Sequence, residues 1–272
     1  MNRIERIFGD LKSRGEKALM PFITAGDPDI ETTAALLPAI ERGGGAICEL
    51  GIPFSDPIAD GPVIQASMTH ALSKGTRPQH VLDIVRRQRA RLNLGIVAMV
   101  SYTIVYRIGH PRKNSTEHWA FLNAAKEAGI DGFIIPDVTV EESQPVVEAM
   151  KALDLTCSFL ISPSTSDERA ERIARACTGF VYVLSRAGLT GEKTELPPDL
   201  PVRIRRLRNV TDLPIAVGFG ISNRAQVEQV TAVADAAIVG SAIMRRIAPI
   251  RERGGDAVAS EVERFVSELA GR

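Results

Sequence analysis

Eight short, continuously apolar runs punctuate this 272-residue chain, at residues 18–24, 46–50, 96–101, 132–135, 156–161, 180–184, 214–218 and 236–239. Stretches with helical spacing separate them, at 30–42, 81–92, 118–128, 141–153, 168–176, 202–209 and 224–230, and a last one at 258–269 follows the eighth run. Most runs lack the alternation of a half-exposed strand. They read as parallel strands covered on both faces. Eight β-α units of this total length predict an α/β fold, a (β/α)8 TIM barrel. A doubly wound open sheet is the competing arrangement.

No linker divides the chain, so residues 1–272 read as one domain. Residues 1–14 form an amphipathic, charged segment ahead of the first strand, an extra helix placed to cap the barrel floor. A further helical piece at 63–74 extends the connection after the second strand, and the connection after the sixth, 185–196, is also long. The polar run 109–116 reads as a loop insertion after the third strand.

Thirty-three basic residues balance thirty-three acidic ones. No field of one sign draws in nucleic acid or a membrane surface. No apolar run reaches the roughly 18 residues of a membrane span. Cys48, Cys157 and Cys177 lie apart in apolar surroundings with no metal-ligand spacing. They read as reduced, buried thiols of a cytoplasmic protein with no metal site.

In a barrel the functional loops follow the C-terminal ends of the strands. Glu49 closes the second apolar run, and the following loop carries Asp56 and Asp60 among prolines and glycines. A carboxylate buried there without a cation partner has a raised pKa and suits acid–base work. The bland alternatives are a hydrogen-bonded Glu49 and an Asp60 that only caps a helix. Asp56 reads as structural or surface-facing. Gly218-Phe219-Gly220 and Gly240-Ser241 follow the last two strands, where backbone N–H groups and a helix start suit a phosphate. The alternative there is a plain turn and a serine cap. Tyr102 and Tyr182 sit near strand ends and either wall a flat apolar pocket or pack the barrel mouth. His70, His80, His110 and His118 share no spacing and read as structural or solvated.

These residues also resemble a family. The run from Glu49 to Gln65, Glu-Leu-Gly-Ile-Pro-Phe-Ser-Asp-Pro-Ile-Ala-Asp-Gly-Pro-Val-Ile-Gln, is similar to the signature of the tryptophan synthase alpha subunit family. So are the segments 22–28, 185–191 and 218–222, in the family's order. The resemblance implies a barrel that cleaves indole-3-glycerol phosphate to indole and glyceraldehyde 3-phosphate. It implies Glu49 and Asp60 as the catalytic pair. Phe22, Tyr102, Tyr182 and Phe219 would line the indole pocket, and Thr190 would close over Asp60. Gly191, Gly220, Gly240 and Ser241 would hold the phosphate. It also implies a tryptophan synthase beta subunit as partner, in an alpha2-beta2 complex. This chain should carry no cofactor, since pyridoxal phosphate belongs to the beta partner.

One segment departs from the family. Tyr102 is followed by Thr103-Ile104-Val105-Tyr106-Arg107, where the family usually has an Asn soon after the Tyr. The departure bears on the detailed pocket wall and on any beta-subunit contact made by this loop.

Overall fold

The computed structural model describes residues 1–58, 60–109, 119–185, 197–218 and 220–272. Nine parallel strand segments run through it: β1 (Ala18–Thr24), β2 (Ile47–Gly51), β3 (Gly95–Met99), β4 (Gly132–Ile134), β5 (Thr156–Ser158), β6 (Leu160–Ile161), β7 (Val181–Leu184), β8 (Ile215–Gly218) and β9 (Ala236–Val239). They form one sheet in the order β5-β4-β3-β2-β1-β9-β8-β7-β6. β5 and β6 are the two halves of the fifth expected strand. One half pairs with β4 and the other with β7, so the cylinder closes through the chain itself. The break falls at Phe159, whose N–H turns to Cys177 Sγ at 3.3 Å.

Eleven helices lie where helical spacing predicts them: α1 (Arg3–Ser13), α2 (Ile30–Arg42), α3 (Pro62–Ser73), α4 (Pro78–Gln88), α6 (Ala120–Ala128), α7 (Gln144–Ala152), α8 (Asp167–Ala176), α9 (Leu200–Arg208), α10 (Arg224–Thr231), α11 (Ser241–Ile247) and α12 (Gly255–Ala270). A further helix, α5 (Tyr102–Gly109), was not expected. This corrects the reading of the segment after the third strand as loop. Asp137, beyond β4, starts the helix by accepting from Tyr102 N at 2.7 Å and Ser101 Oγ at 2.5 Å. That cap comes from 35 residues away and leaves no local signal. Residues 110–118, which include most of the polar run, His110 and His118, lie outside the described residues.

The first helix plugs the floor of the barrel. An added Cβ at Gly95 would stand 2.8 Å from Ile4 Cδ1 and 3.0 Å from Ile7 Cδ1 and Ile47 Cγ1. Gly95 therefore leaves room for α1 beneath the axis. Ile47 pairs in register with Gly95. Side chains alternate along a strand, so Ile47, Glu49 and Gly51 all face the axis, from floor to mouth. The plug is locked by Asn2. Its side chain accepts from Ile4 N in a capping box with Glu5 and donates to Asp131 O at 2.9 Å. Phe8 adds a ring contact with Phe180 at 6.0 Å. Burying Ile4 and Phe8 contributes roughly 1.5–3 kcal/mol each.

Candidate active site

Glu49 lies between Phe22 of β1 and Val97 of β3 in register. It is 1% exposed, and its Oε2 is buried with no hydrogen-bond partner. Buried polar atoms are nearly always paired, because an unpaired one costs free energy. The sequence alternative of a hydrogen-bonded Glu49 therefore fails for this oxygen. Burial first, and then the charge of Asp60, push the Glu49 pKa up to about 8. At neutral pH the side chain keeps its proton and can donate it.

Asp60 is also buried, and burial pushes its pKa up to about 7. A negative charge on either acid favours the proton on the other. The capping alternative is overturned. Gly61 is the N-cap of α3, Pro62 takes the first helical position, and no side chain caps the helix. Pro62 has no N–H to satisfy and suits a helix start. Asp60 is thus spared capping work.

Tyr182 joins the two acids. Its phenol pKa is raised well above the ordinary value by burial first, then by Glu49 and Asp60. Its ring leans toward Gly218, where an added Cβ would stand 2.7 Å from Tyr182 Cε2. Phe22 is buried beside the same mouth. A Cβ at Gly51 would stand 2.7 Å from Phe22 Cζ, and one at Gly240 would stand 3.3 Å from Phe22 Cβ. Two glycines at neighbouring strand ends thus make room for one ring.

Tyr102 sits otherwise. It is half-buried at the start of α5, its ring 6.2 Å from that of Tyr106. Burial, Tyr106 and Glu142 raise its pKa, rather than the two acids. Gly220 has φ 83°, a left-handed backbone that favours glycine. Gly240 is the N-cap of α11 and Ser241 its first residue, with no side-chain cap. The serine-cap alternative is thereby removed, and the first N–H groups of the helix suit an anion. Thr190, Gly191 and Phe219 lie outside the described residues.

The loop between Glu49 and Asp60 is less exposed than the sequence suggests. Pro53 is buried and Phe54 half-buried, while Asp56 is exposed and accepts from Ser55 Oγ at 2.6 Å. Among its described residues Ile58 is an exposed apolar side chain, at 78%. All three cysteines are free and buried. Among the described residues no group of three or more His, Cys, Asp or Glu side chains could hold a metal ion.

The family model for the tryptophan synthase alpha chain matches residues 8–270. The chain belongs to the tryptophan synthase alpha chain family. It is 41% identical over 271 residues to the tryptophan synthase alpha chain of Rhodopirellula baltica, covering 98% of this chain and 95% of that one. It is 44% identical over 249 residues to that of a Synechocystis species, covering 91% of each. Among solved structures, tryptophan synthase subunit alpha from Legionella pneumophila superposes with TM-score 0.87 at 33% identity, covering 100% of this chain and 98% of that one. A chain of tryptophan synthase from M. tuberculosis, in an aminoacrylate-bound form, gives 0.84 at 29% identity, covering 99% and 98%.

For a tryptophan synthase alpha chain, two buried acids facing one mouth have a measurable cost. Both folded pKa values lie above the ordinary 4.5 of Glu and 3.8 of Asp. Between those values and about 8 and 7, the folded chain holds protons that the unfolded chain has released. The stability contribution is full below the unfolded pKa values and falls as pH rises through that window. Glu49→Gln is therefore expected to raise stability at pH 8 relative to wild type, on the order of 1–3 kcal/mol, and to change it little at pH 4. Denaturant unfolding of both proteins at the two pH values checks this. A variant less stable than wild type at pH 8 contradicts it.

Proposed function

We propose that Glu49 and Asp60 are the acid–base pair with which this chain cleaves indole-3-glycerol phosphate to indole and glyceraldehyde 3-phosphate. The reaction is a retro-aldol carbon–carbon cleavage in tryptophan biosynthesis. The observation that carries the assignment is the buried Glu49 carboxyl, its Oε2 without a hydrogen-bond partner and its pKa raised by burial and by Asp60.

Glu49 delivers its proton to indole C3. That places positive charge on the ring nitrogen, which Asp60, as carboxylate, stabilises by accepting the ring N–H. The glycerol hydroxyl next to C3 then gives its proton to the Glu49 carboxylate. The carbon–carbon bond breaks, its electrons return to the ring, and Glu49 is protonated again. The step needs Asp60 ionised. A pKa of about 7 leaves it only partly so in the free chain. The arriving N–H donor favours the charged form and completes the ionisation.

Phe22 and Tyr182 form the wall for the indole in this reading, with Tyr102 and Phe219. Gly191, Gly220, Gly240 and Ser241 hold the phosphate, and Thr190 closes on Asp60. The steps are proton transfers and charge stabilisation, so we propose no cofactor or metal in this chain, with pyridoxal phosphate confined to the beta partner.

Membership of the family implies a beta subunit as partner. We propose the alpha2-beta2 assembly, with the Phe54–Ile58 loop at the contact, and a cytoplasmic setting. Among the described residues no helix is long and apolar enough to cross a membrane.

Incubation of the chain with indole-3-glycerol phosphate is expected to release indole and glyceraldehyde 3-phosphate in equal amounts, faster when the beta subunit is added. Inorganic phosphate is expected to compete with substrate. Absence of indole with and without the beta subunit would refute the assignment.

A further inference from the structure

Asp60 stands between an irregular loop and a helix, and few interactions hold it. Its own N–H donates to Pro57 O at 3.1 Å. Its carbonyl oxygen accepts from Gln65 Nε2 at 2.8 Å. Gln65 is the fourth residue of α3 and reaches back five positions, past the Gly61 cap, to the residue just outside the helix. The helix has no side-chain cap of its own, and beside the bond from Gln65 N–H to Gly61 O the long amide side chain ties the entering backbone to the first turn. A buried carbonyl needs a donor. The bond also sets the plane of the peptide joining Asp60 to Gly61, and hence the direction in which the Asp60 side chain leaves the backbone.

We infer that Gln65 is a positioning residue for Asp60: by holding the Asp60 carbonyl it aims the carboxyl at the barrel mouth. The inference rests on the role proposed for Asp60. Gln65 itself touches no reacting atom. Its effect belongs to the transition state, where the ring nitrogen becomes positive and a misaimed carboxylate stabilises it less. Small displacements of catalytic groups cost rate more than affinity when binding is carried elsewhere. In the proposed site the phosphate end of the substrate is held by the loops after β8 and β9, not by the Asp60 loop. A released Asp60 side chain also turns toward water, so its pKa falls back toward 3.8.

The test is steady-state indole release from indole-3-glycerol phosphate by the full chain with its beta partner. Gln65→Met keeps the length without a donor, and Gln65→Glu keeps the shape but faces an acceptor to the carbonyl. Both are expected to lower kcat on the order of 10-fold. KM should change by less than about 2-fold, the signature of an interaction made in the transition state. The limb of the kcat/KM profile near pH 7 should move down by about half a pH unit or more. A wild-type kcat in Gln65→Met, a loss confined to KM, or an unmoved pH profile would overturn the inference. Asp60→Asn is run alongside. If it cleaves at the wild-type rate, the role of Asp60 itself falls, a result distinct from an inactive Asp60→Asn with a fully active Gln65→Met.

Discussion

Glu49→Gln is expected to slow indole release on the order of 10²- to 10⁴-fold, with KM for indole-3-glycerol phosphate nearly unchanged. The amide fills the same space beside Phe22 and Val97 but has no acidic proton for C3 and cannot take one back from the glycerol hydroxyl. Asp60→Asn is expected to fall in the same range, for a different reason. It can still accept a hydrogen bond from the ring N–H, but it carries no charge to stabilise the cation in a site shielded from water. The two losses are not expected to add, because both side chains serve one step. Rapid-quench or steady-state assay of indole, with substrate binding measured separately, decides between loss of chemistry and loss of binding. Wild-type turnover in both variants would remove the acid–base assignment.

The second large effect lies behind the site, in the turn after β1. Asp27 is fully buried there. Arg251, from the short helical turn Ala248–Arg253 that continues α11, donates to both of its carboxylate oxygens at 2.7 Å. His70 of α3 brings Nδ1 to 2.9 Å from Oδ1. That nitrogen lacks hydrogen-bond alignment and stays without a bond, so the approach is a charge–dipole contact and the arginine fork dominates. One carboxylate therefore holds the turn after β1 to the element that follows Gly240 and Ser241. Asp27→Ala leaves Arg251 facing a cavity with no counter-charge, and breaking such a pair is expected to cost about 3–5 kcal/mol. Asp27→Leu combined with Arg251→Met is expected to recover most of the loss, since a packed apolar pair avoids the desolvation penalty. Denaturant unfolding of the single and double variants measures both quantities. A loss under about 1 kcal/mol in Asp27→Ala would show that the pair holds nothing together.

Much of the barrel was legible because burial on both faces imprints itself residue by residue. The apolar runs mark the strands to within one or two residues, and helical spacing marks the layer outside them. What escaped was set by distant partners. The break at Phe159 depends on Cys177, 18 residues on. α5 depends on Asp137, 35 residues on. His70 was read as structural or solvated, but no local pattern tied it to Asp27. The burial of Pro53 had no local sign either, since a proline beside a phenylalanine does not show which neighbours cover it.

At the site the division is similar. Glu49 in the second apolar run and Asp60 on the next loop could be singled out from the chain alone, because carboxylates among apolar and Pro/Gly-rich residues are unusual. The glycines at 51, 218 and 240 could be placed at strand ends but not assigned to the rings they accommodate. Phe22 and Tyr182, which need that space, come from other strands. The role of Gln65 was equally hidden, since its spacing to Asp60 means something only once Gly61 is the helix cap.

By itself the order of residues determined the alternation of strand and helix, the placement of acids and glycines at one end of the sheet, and the family motif. These are local properties, written in the period of burial and in backbone preferences. The tertiary structure alone decided that Glu49, Asp60 and Tyr182 act on one another, that burial raises the pKa of both acids, and that Asp27 ties two parts of the mouth together. Those outcomes depend on water excluded from the mouth and on groups brought together from distant segments, Tyr182 to Glu49 and Arg251 to Asp27, and closure of the cylinder creates both.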